Sequence, residues 1–115
     1  RGGYRTEPQE ANQPVCEKCR GRIISSVVNF NDPMPEKEMK LSKYQTEKCD
    51  LMLVIGSSLS VQPASNFPRK AKKNGAKVII INIDTTVQDD SADLKSVNKA
   101  GEILPRVIEK LKESK

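Results

Sequence analysis

A chain of 115 residues can bury one modest core, and it is too short for a two-domain enzyme with a cleft between its domains. Lys and Arg number 20 against 15 Asp and Glu, which gives a net charge of +5. These basic residues are spread along the chain and lack the interleaved aromatic residues that would stack bases, so nucleic acid is an unlikely partner.

No apolar run approaches the roughly 20 residues needed to span a bilayer, and no signal peptide is present, so no membrane partner is expected. Three cysteines, two of them in a C-x-x-C pair, argue against a disulfide framework. They favour a reducing compartment. The sequence therefore predicts an intracellular location, in the cytoplasm or the nucleus.

The N-terminal segment, residues 1–14, is polar and rich in turns. Residues 1–14 show no apolar periodicity and are predicted to be a connector. Cys16 and Cys19 then form a knuckle, with Gly21 supplying backbone freedom just after the second thiol. The apolar residues from Ile23 to Phe30 predict a short strand that ends at Asn-Asp-Pro.

The centre of the chain predicts a strand–helix–strand unit. A helix is expected over residues 36–48, followed by the unbroken apolar run 51–55 and a second run at 78–81. Between these runs, residues 64–73 have helical spacing. Because apolar residues occur on both faces of each strand, the pattern indicates a parallel sheet covered by helices on each side.

The C-terminal segment predicts a short strand and a helix. Residues 93–97 suggest an edge strand. Residues 102–112 place Ile103, Val107 and Leu111 on one face of an amphipathic helix that could cover the sheet.

Polar residues follow both central strands. Gly56, Ser57 and Ser58 come after the first strand and Asn82 after the second. Because ligands bind beyond the carboxyl ends of parallel strands, these residues could contact a phosphate or a ribose, with Asn82 using both of its amide groups. The alternative is that Gly-Ser-Ser is only a tight strand-to-loop turn.

The order of the motifs resembles the C-terminal half of sirtuins, the NAD-dependent protein-lysine deacylases. The resemblance runs from about Val15 to Leu111, through the C-x-x-C knuckle, Val-Val-Asn-Phe, GSSLSVQPA, Ile-Asn and AGEILP. It implies an α/β fold: the C-terminal part of a Rossmann-like parallel sheet with half of a zinc-ribbon knuckle. The implied domains are a connector at 1–14, the half knuckle at 15–26 and a partial Rossmann-like NAD-binding region at 27–115.

The same resemblance implies roles for individual residues. Residues that would bind the cofactor NAD are Gly56, Ser57 and Ser58 at phosphate and ribose, Asn82 at the adenosine ribose, and Lys99 and Ala100 against the adenine. Residues that would pair with an acyl-lysine protein or peptide by strand addition are Val27, Val28 and Phe30. Cys16 and Cys19 match the second half of the structural zinc site.

The chain also departs from the family pattern. It has Phe30-Asn31-Asp32 where the family has Phe-Gly-Glu, and it lacks the Gly-rich phosphate loop and the first cysteine pair. It contains 0 His, whereas the family uses a His as the general base, so no catalytic residue is assigned and the chain alone is predicted to be inactive. Zinc needs about four ligands, and Cys49 fits a small core residue better than a third ligand.

Three hypotheses follow. The first is a portion of a sirtuin enzyme whose N-terminal half completes the fold and covers a sheet edge that is otherwise bare. The second is a catalytically inactive sirtuin-like module that binds a nucleotide or a peptide. The third is a basic zinc-knuckle protein that contacts nucleic acid. The sirtuin subtype, the acyl group, the protein substrates and the oligomeric state are not determined by the sequence.

Overall fold

The computed structural model describes residues 11–114, which form two compact units divided between Glu38 and Met39. Residues 1–10 of the predicted connector lie outside this range. The N-terminal unit contains the knuckle, which an isolated antiparallel bridge between Val15 and Arg22 closes. Within the knuckle, the Cys16 N–H donates to the Gly21 carbonyl at 2.7 Å and the Arg20 N–H to the Cys16 carbonyl at 2.9 Å.

The prediction of a strand between Ile23 and Phe30 is wrong. These residues are in no strand, and the run ends in a turn where the Asp32 N–H donates to the Asn29 carbonyl at 3.1 Å and Asn31 has a φ of 71°. Apolar and β-branched side chains favour a strand mainly by packing on a sheet surface. Phe30 is instead 82% exposed, so this packing is missing within the described residues.

Helices and strands alternate from Glu36 to the end of the described residues, and the first three residues of the first helix precede the boundary between the units. In chain order the elements are α1 (Glu36–Lys48), β1 (Leu51–Ile55), α2 (Asn66–Lys73), β2 (Lys77–Ile81), a 3-10 turn (Asp89–Ser91), β3 (Leu94–Ser96) and α3 (Ala100–Glu113). The predicted helices and strands of this part of the chain are confirmed within a few residues. The α2 helix begins two positions later than predicted, at Asn66 rather than Ala64. No helix within residues 11–114 is long and apolar enough to cross a membrane.

The three strands form one parallel sheet in the order β1-β2-β3, which confirms the predicted parallel arrangement. Leu51 of β1 is aligned with Lys77 of β2, and Ile79 of β2 with Leu94 of β3. The α2 helix connects the first two strands as the crossover that parallel pairing requires. It contributes the buried residues Pro68 and Ala71.

The main cluster of buried apolar side chains lies on one face of β1 and β2. It consists of buried Val54, Leu59, Val78 and Ile80, with Met52 and Ala92 packed against it. On the opposite face of β2, Ile81 is also buried, with 5% of its surface exposed. The prediction that both faces are covered is wrong for β1 within the described residues, because Leu51, Leu53 and Ile55 are 48%, 48% and 43% exposed. Successive side chains of a strand point to opposite faces, so these three share the exposed one.

The α3 helix does not cover the sheet as predicted. None of its described residues is buried, and Val107, Ile108 and Leu111 are 42%, 51% and 58% exposed. Its apolar stripe is real, but amphipathicity shows only that a helix can bury one face, not which surface it meets.

The burial of β1 on one face only predicts unequal costs for two truncations in adjacent strands. Ile80→Ala should lower the free energy of unfolding by about 2–5 kcal/mol, because the Ile80 side chain is 0% exposed and its loss leaves a cavity. Leu53→Ala, at a position 48% exposed, is the control and should cost well under half as much. Urea denaturation measures both. Equal losses would contradict a core confined to one face of β1.

Candidate functional site

The carboxyl ends of the three strands meet at one edge of the sheet. The hydrogen-bond ladder continues just past the strands, with the Gly56 N–H donating to the Ile81 carbonyl at 2.9 Å and the Asn82 N–H to the Ser96 carbonyl at 3.1 Å. Gly56 has a φ of +65°, and a Cβ at this position would meet no atom of the described residues within 4 Å. The glycine is therefore required by backbone conformation rather than by crowding, and the space beside it is open.

The first loop, residues 56–65, follows β1 and carries the predicted serines. The Leu59 N–H donates to Ser57 Oγ at 3.1 Å, and Ser58 Oγ lies 2.8 Å from Ser60 Oγ. Leu59 has a φ of 59°, and its side chain is only 6% exposed because it packs in the core. This buried side chain anchors the loop while Ser57 stays half-buried and Ser58 exposed.

The second loop, residues 82–93, follows β2 and is organised by Asp89. This carboxylate accepts hydrogen bonds from Thr86 Oγ1 at 2.6 Å, from the Thr86 N–H at 3.0 Å and from Lys95 Nζ at 2.9 Å. The Thr86 hydroxyl and N–H, followed by Lys95, lower the pKa of Asp89 to about 2. At the start of the loop, Asn82 Nδ2 donates to the Asp84 carbonyl at 3.0 Å.

Two hydrogen bonds between described residues join the two loops. The Val87 N–H donates to the Ser58 carbonyl at 3.3 Å, and Gln88 Nε2 donates to the Ser65 carbonyl at 2.7 Å. The motifs of the sequence indicate no role for Gln88 or Asp89. The spacing of Thr86 and Asp89 could have indicated a turn closed by side-chain to backbone bonds, although the pattern is common in solvent-exposed loops.

The remaining predicted cofactor residues lie after the third strand. Lys99 is extended, with φ −70° and ψ 131°, and its carbonyl accepts from the Glu102 and Ile103 N–H groups at the start of α3. Lys99 is exposed and Ala100 half-buried. Each of the six predicted cofactor residues thus follows the carboxyl end of one of the three parallel strands.

The predicted metal and peptide residues belong to the N-terminal unit. Cys16 is half-buried and Cys19 exposed, and hydrogen bonds from the Cys19 N–H, the Lys18 N–H and the Cys19 side chain lower the pKa of Cys16. Residues 11–114 contain no group of three or more His, Cys, Asp or Glu that could hold a metal. Two thiols do not complete a structural zinc site, which takes about four ligands.

Val27, Val28 and Phe30, the predicted peptide-binding residues, lie in irregular backbone. Val28 is half-buried, whereas Val27 and Phe30 are 64% and 82% exposed. The Val27 N–H donates to Ser25 Oγ at 3.2 Å. A peptide added at this segment would therefore meet exposed apolar side chains rather than the edge of an existing strand.

The family model described as Sir2 family matches residues 2–63, which is more than half of the chain. NAD-dependent protein deacylase 2 of Archaeoglobus fulgidus is 41% identical over 100 residues, covering 86% of this chain and 40% of the relative. NAD-dependent protein deacetylase of Thermodesulfovibrio yellowstonii is 43% identical over 100 residues, covering 87% of this chain and 39% of the relative.

Solved structures show the same likeness. The one described as "Structural Basis for the Mechanism and Regulation of Sir2 Enzymes" superposes with a TM-score of 0.77 at 39% identity, over 90% of this chain and 42% of that chain. The one described as "Sir2 bound to acetylated peptide" gives a TM-score of 0.74 at 33% identity, over 85% and 41%.

The fold and its polar edge define a parallel α/β protein, the class in which ligands bind beyond the carboxyl ends of the strands. Within that class, the chain belongs to the Sir2 family. It spans about two fifths of the length of the curated relatives named above.

The Asp89 contacts predict a pH-dependent contribution to stability. The folded-state pKa, about 2, lies below the ordinary value of 3.8, so the ionised carboxylate stabilises the fold above pH 3.8 and this effect disappears as the pH falls towards about 2. Asp89→Asn should therefore lower the midpoint of thermal unfolding near neutral pH, and the difference from the parent should close in acid. Asp90→Asn, at the exposed neighbouring carboxylate, is the matched control. A difference that stays constant across this pH range would contradict the assignment.

Proposed function

We propose that this chain supplies the adenosine-ribose and phosphate side of an NAD pocket, and one wall of an acyl-lysine peptide groove, in a Sir2-type NAD-dependent protein deacylase. The observation that carries the proposal is the meeting of Gly56 and Asn82 at one edge of the sheet through the ladder bonds to Ile81 and Ser96. A dinucleotide bound at this edge could contact both loops at once.

The groups at the edge fit the polar half of a dinucleotide. The open space beside Gly56 lets a phosphate or ribose approach the backbone, and the hydroxyls of Ser57 and Ser58 can donate to its oxygens. One N–H of the Asn82 amide is engaged with the Asp84 carbonyl, so the amide oxygen and the second N–H are the groups that would bond a ribose hydroxyl.

The relatives support the choice of ligands. The curated relatives are named for NAD dependence and for deacylase or deacetylase activity. One similar structure, 33% identical, is described as "Sir2-p53 peptide-NAD+". Since the chain belongs to the same family, NAD and an acyl-lysine peptide are the ligands that we propose for it, the peptide lying along Val27, Val28 and Phe30.

Part of the sheet surface supports a role within a larger enzyme. The exposed side chains of Leu51, Leu53 and Ile55 leave one face of β1 apolar and solvent-accessible, and β1 lies at an edge of the three-stranded sheet. In a doubly wound fold both faces are covered. We propose that the N-terminal half of a Sir2 fold covers this face, and that it supplies the ligands that would complete a zinc site with Cys16 and Cys19.

The proposed NAD edge is the end of the sheet that carries Gly56, Ser57, Ser58 and Asn82. Binding of ADP-ribose tests its role. Asn82→Ala should weaken ADP-ribose binding about two- to tenfold, the effect of one lost hydrogen bond. Asn74→Ala, at an exposed position after α2, is the matched control and should leave the affinity unchanged. Isothermal titration calorimetry measures all three chains.

No heat of binding in the parent chain would contradict the proposed cofactor edge. Equal affinities in the parent and Asn82→Ala would contradict the role of Asn82. Thermal unfolding of each variant, run in parallel, shows whether a lost affinity reflects a lost fold.

The chain alone should not deacylate a peptide. It contains 0 His, and in sirtuins a His is the general base. An acetyl-lysine peptide incubated with NAD and the chain should remain acetylated when followed by mass spectrometry, while the Archaeoglobus fulgidus relative serves as the positive control. Turnover by this chain would show that another of its groups acts as the base.

A further inference from the structure

The geometry of the proposed NAD edge depends on how its two loops are held together. The ladder fixes Gly56 and Asn82, but Ser57 and Ser58 lie beyond it in the first loop. Residues beyond a strand end keep their place only through contacts of their own. The buried Leu59 side chain anchors the first loop to the core, and the hydrogen bonds between the first and second loops add to it in fixing the separation of the serines from Asn82.

Gln88 provides the stronger of the two links between the loops. Its Nε2 donates to the Ser65 carbonyl at 2.7 Å, whereas the Val87 N–H reaches the Ser58 carbonyl at 3.3 Å, near the outer limit for a hydrogen bond. Gln88 is 3% and Ser65 6% exposed, so water competes little for their bond.

The backbone of Gln88 is itself fixed on both sides. Its N–H donates to Thr86 Oγ1 at 3.2 Å, and its carbonyl accepts from the Ser91 N–H at 3.0 Å and from Ser91 Oγ at 2.9 Å. The Thr86 hydroxyl is in turn held by Asp89. The second loop thus presents the Gln88 side chain to the first loop in one orientation.

Stability alone does not explain a glutamine at this position. Its Oε1 is buried and has no hydrogen-bond partner among residues 11–114, which is unfavourable for a polar atom. An apolar side chain of similar length would fill the same space without this cost, but it could not donate to Ser65. The feature that glutamine adds over an apolar side chain is the link between the loops.

We infer that Gln88 is a positioning residue for the NAD edge: it holds the first loop at the distance from the second at which Ser57, Ser58 and Asn82 can bind one ligand together. The inference rests on the proposed function for the identity of the ligand. The loop-holding role itself does not depend on the ligand. If both loops of the NAD edge are already ordered in the ligand-free chain, binding avoids the entropic cost of ordering them.

Gln88→Met tests the inference, because methionine has a similar length and lacks the donor. Gln45→Met, the same change at an exposed position of α1, is the matched control. The midpoint of thermal unfolding should stay within about 4 °C of the parent, because the change removes an unpartnered buried oxygen together with a hydrogen bond. ADP-ribose binding should weaken about tenfold in Gln88→Met and not at all in the control.

Amide hydrogen exchange in the ligand-free chain provides a second measurement. The Val87 N–H, which bonds to the Ser58 carbonyl, should exchange about tenfold faster in Gln88→Met, while the amides of β2 keep their parental rates. Unchanged exchange and unchanged affinity would overturn the inference and leave the proposed function in place. Faster exchange in a chain whose parent does not bind ADP-ribose would support the loop link and reject the proposed function. A large fall in the unfolding midpoint would make Gln88 a structural residue and overturn the inference.

Discussion

The parallel ladder between β1, β2 and β3 is the constraint on which the rest of the second unit depends. Because all three strands run in the same direction, their carboxyl ends lie at one edge, and the chain must cross back to start each new strand. The α2 helix makes the first crossing and buries Ala71 as it does so. The ladder bonds of Gly56 and Asn82 extend the register of the strands into the loops. The polar groups of the edge therefore have their positions set by the same interaction that forms the core.

The first loop beyond this edge contains a residue with a strained backbone and a buried side chain. Leu59 is in the left-handed region, with a φ of 59°, a conformation that costs a non-glycine residue about 1–2 kcal/mol. Its side chain is buried with Val54 and Ile80, and this packing offsets the cost. The buried leucine turns the first loop so that Ser57 and Ser58 remain accessible. In the second loop Asp89 has the equivalent organising role through charge-assisted hydrogen bonds rather than apolar packing.

Periodicity in the sequence was sufficient to predict the helices and strands of residues 36–114 and the parallel sheet, because long apolar runs and helical spacing are local properties. Periodicity failed where the structure of a segment depends on which surface the segment packs against. The residues from Ile23 to Phe30 have strand-forming side chains but pair with no strand within residues 11–114, and α3 has an apolar stripe that buries no residue. The strand-end residues Gly56 and Asn82 could be predicted from topology. Gln88 could not, because its contact with Ser65 lies 23 positions away in the sequence.

The lowered pKa values of two carboxylates bear on the function of the chain. Asp89 and Asp93 both have a lowered pKa, Asp89 through Thr86 and Asp93 through the backbone N–H of Val78. A general base at neutral pH works best with a pKa near 7, so groups shifted in the opposite direction are poor proton acceptors. Both carboxylates instead hold backbone in place, Asp93 by a 2.8 Å bond to Val78 at the start of the core strand. Their ionised state stabilises the backbone around β2, which agrees with the proposal that the chain binds a cofactor.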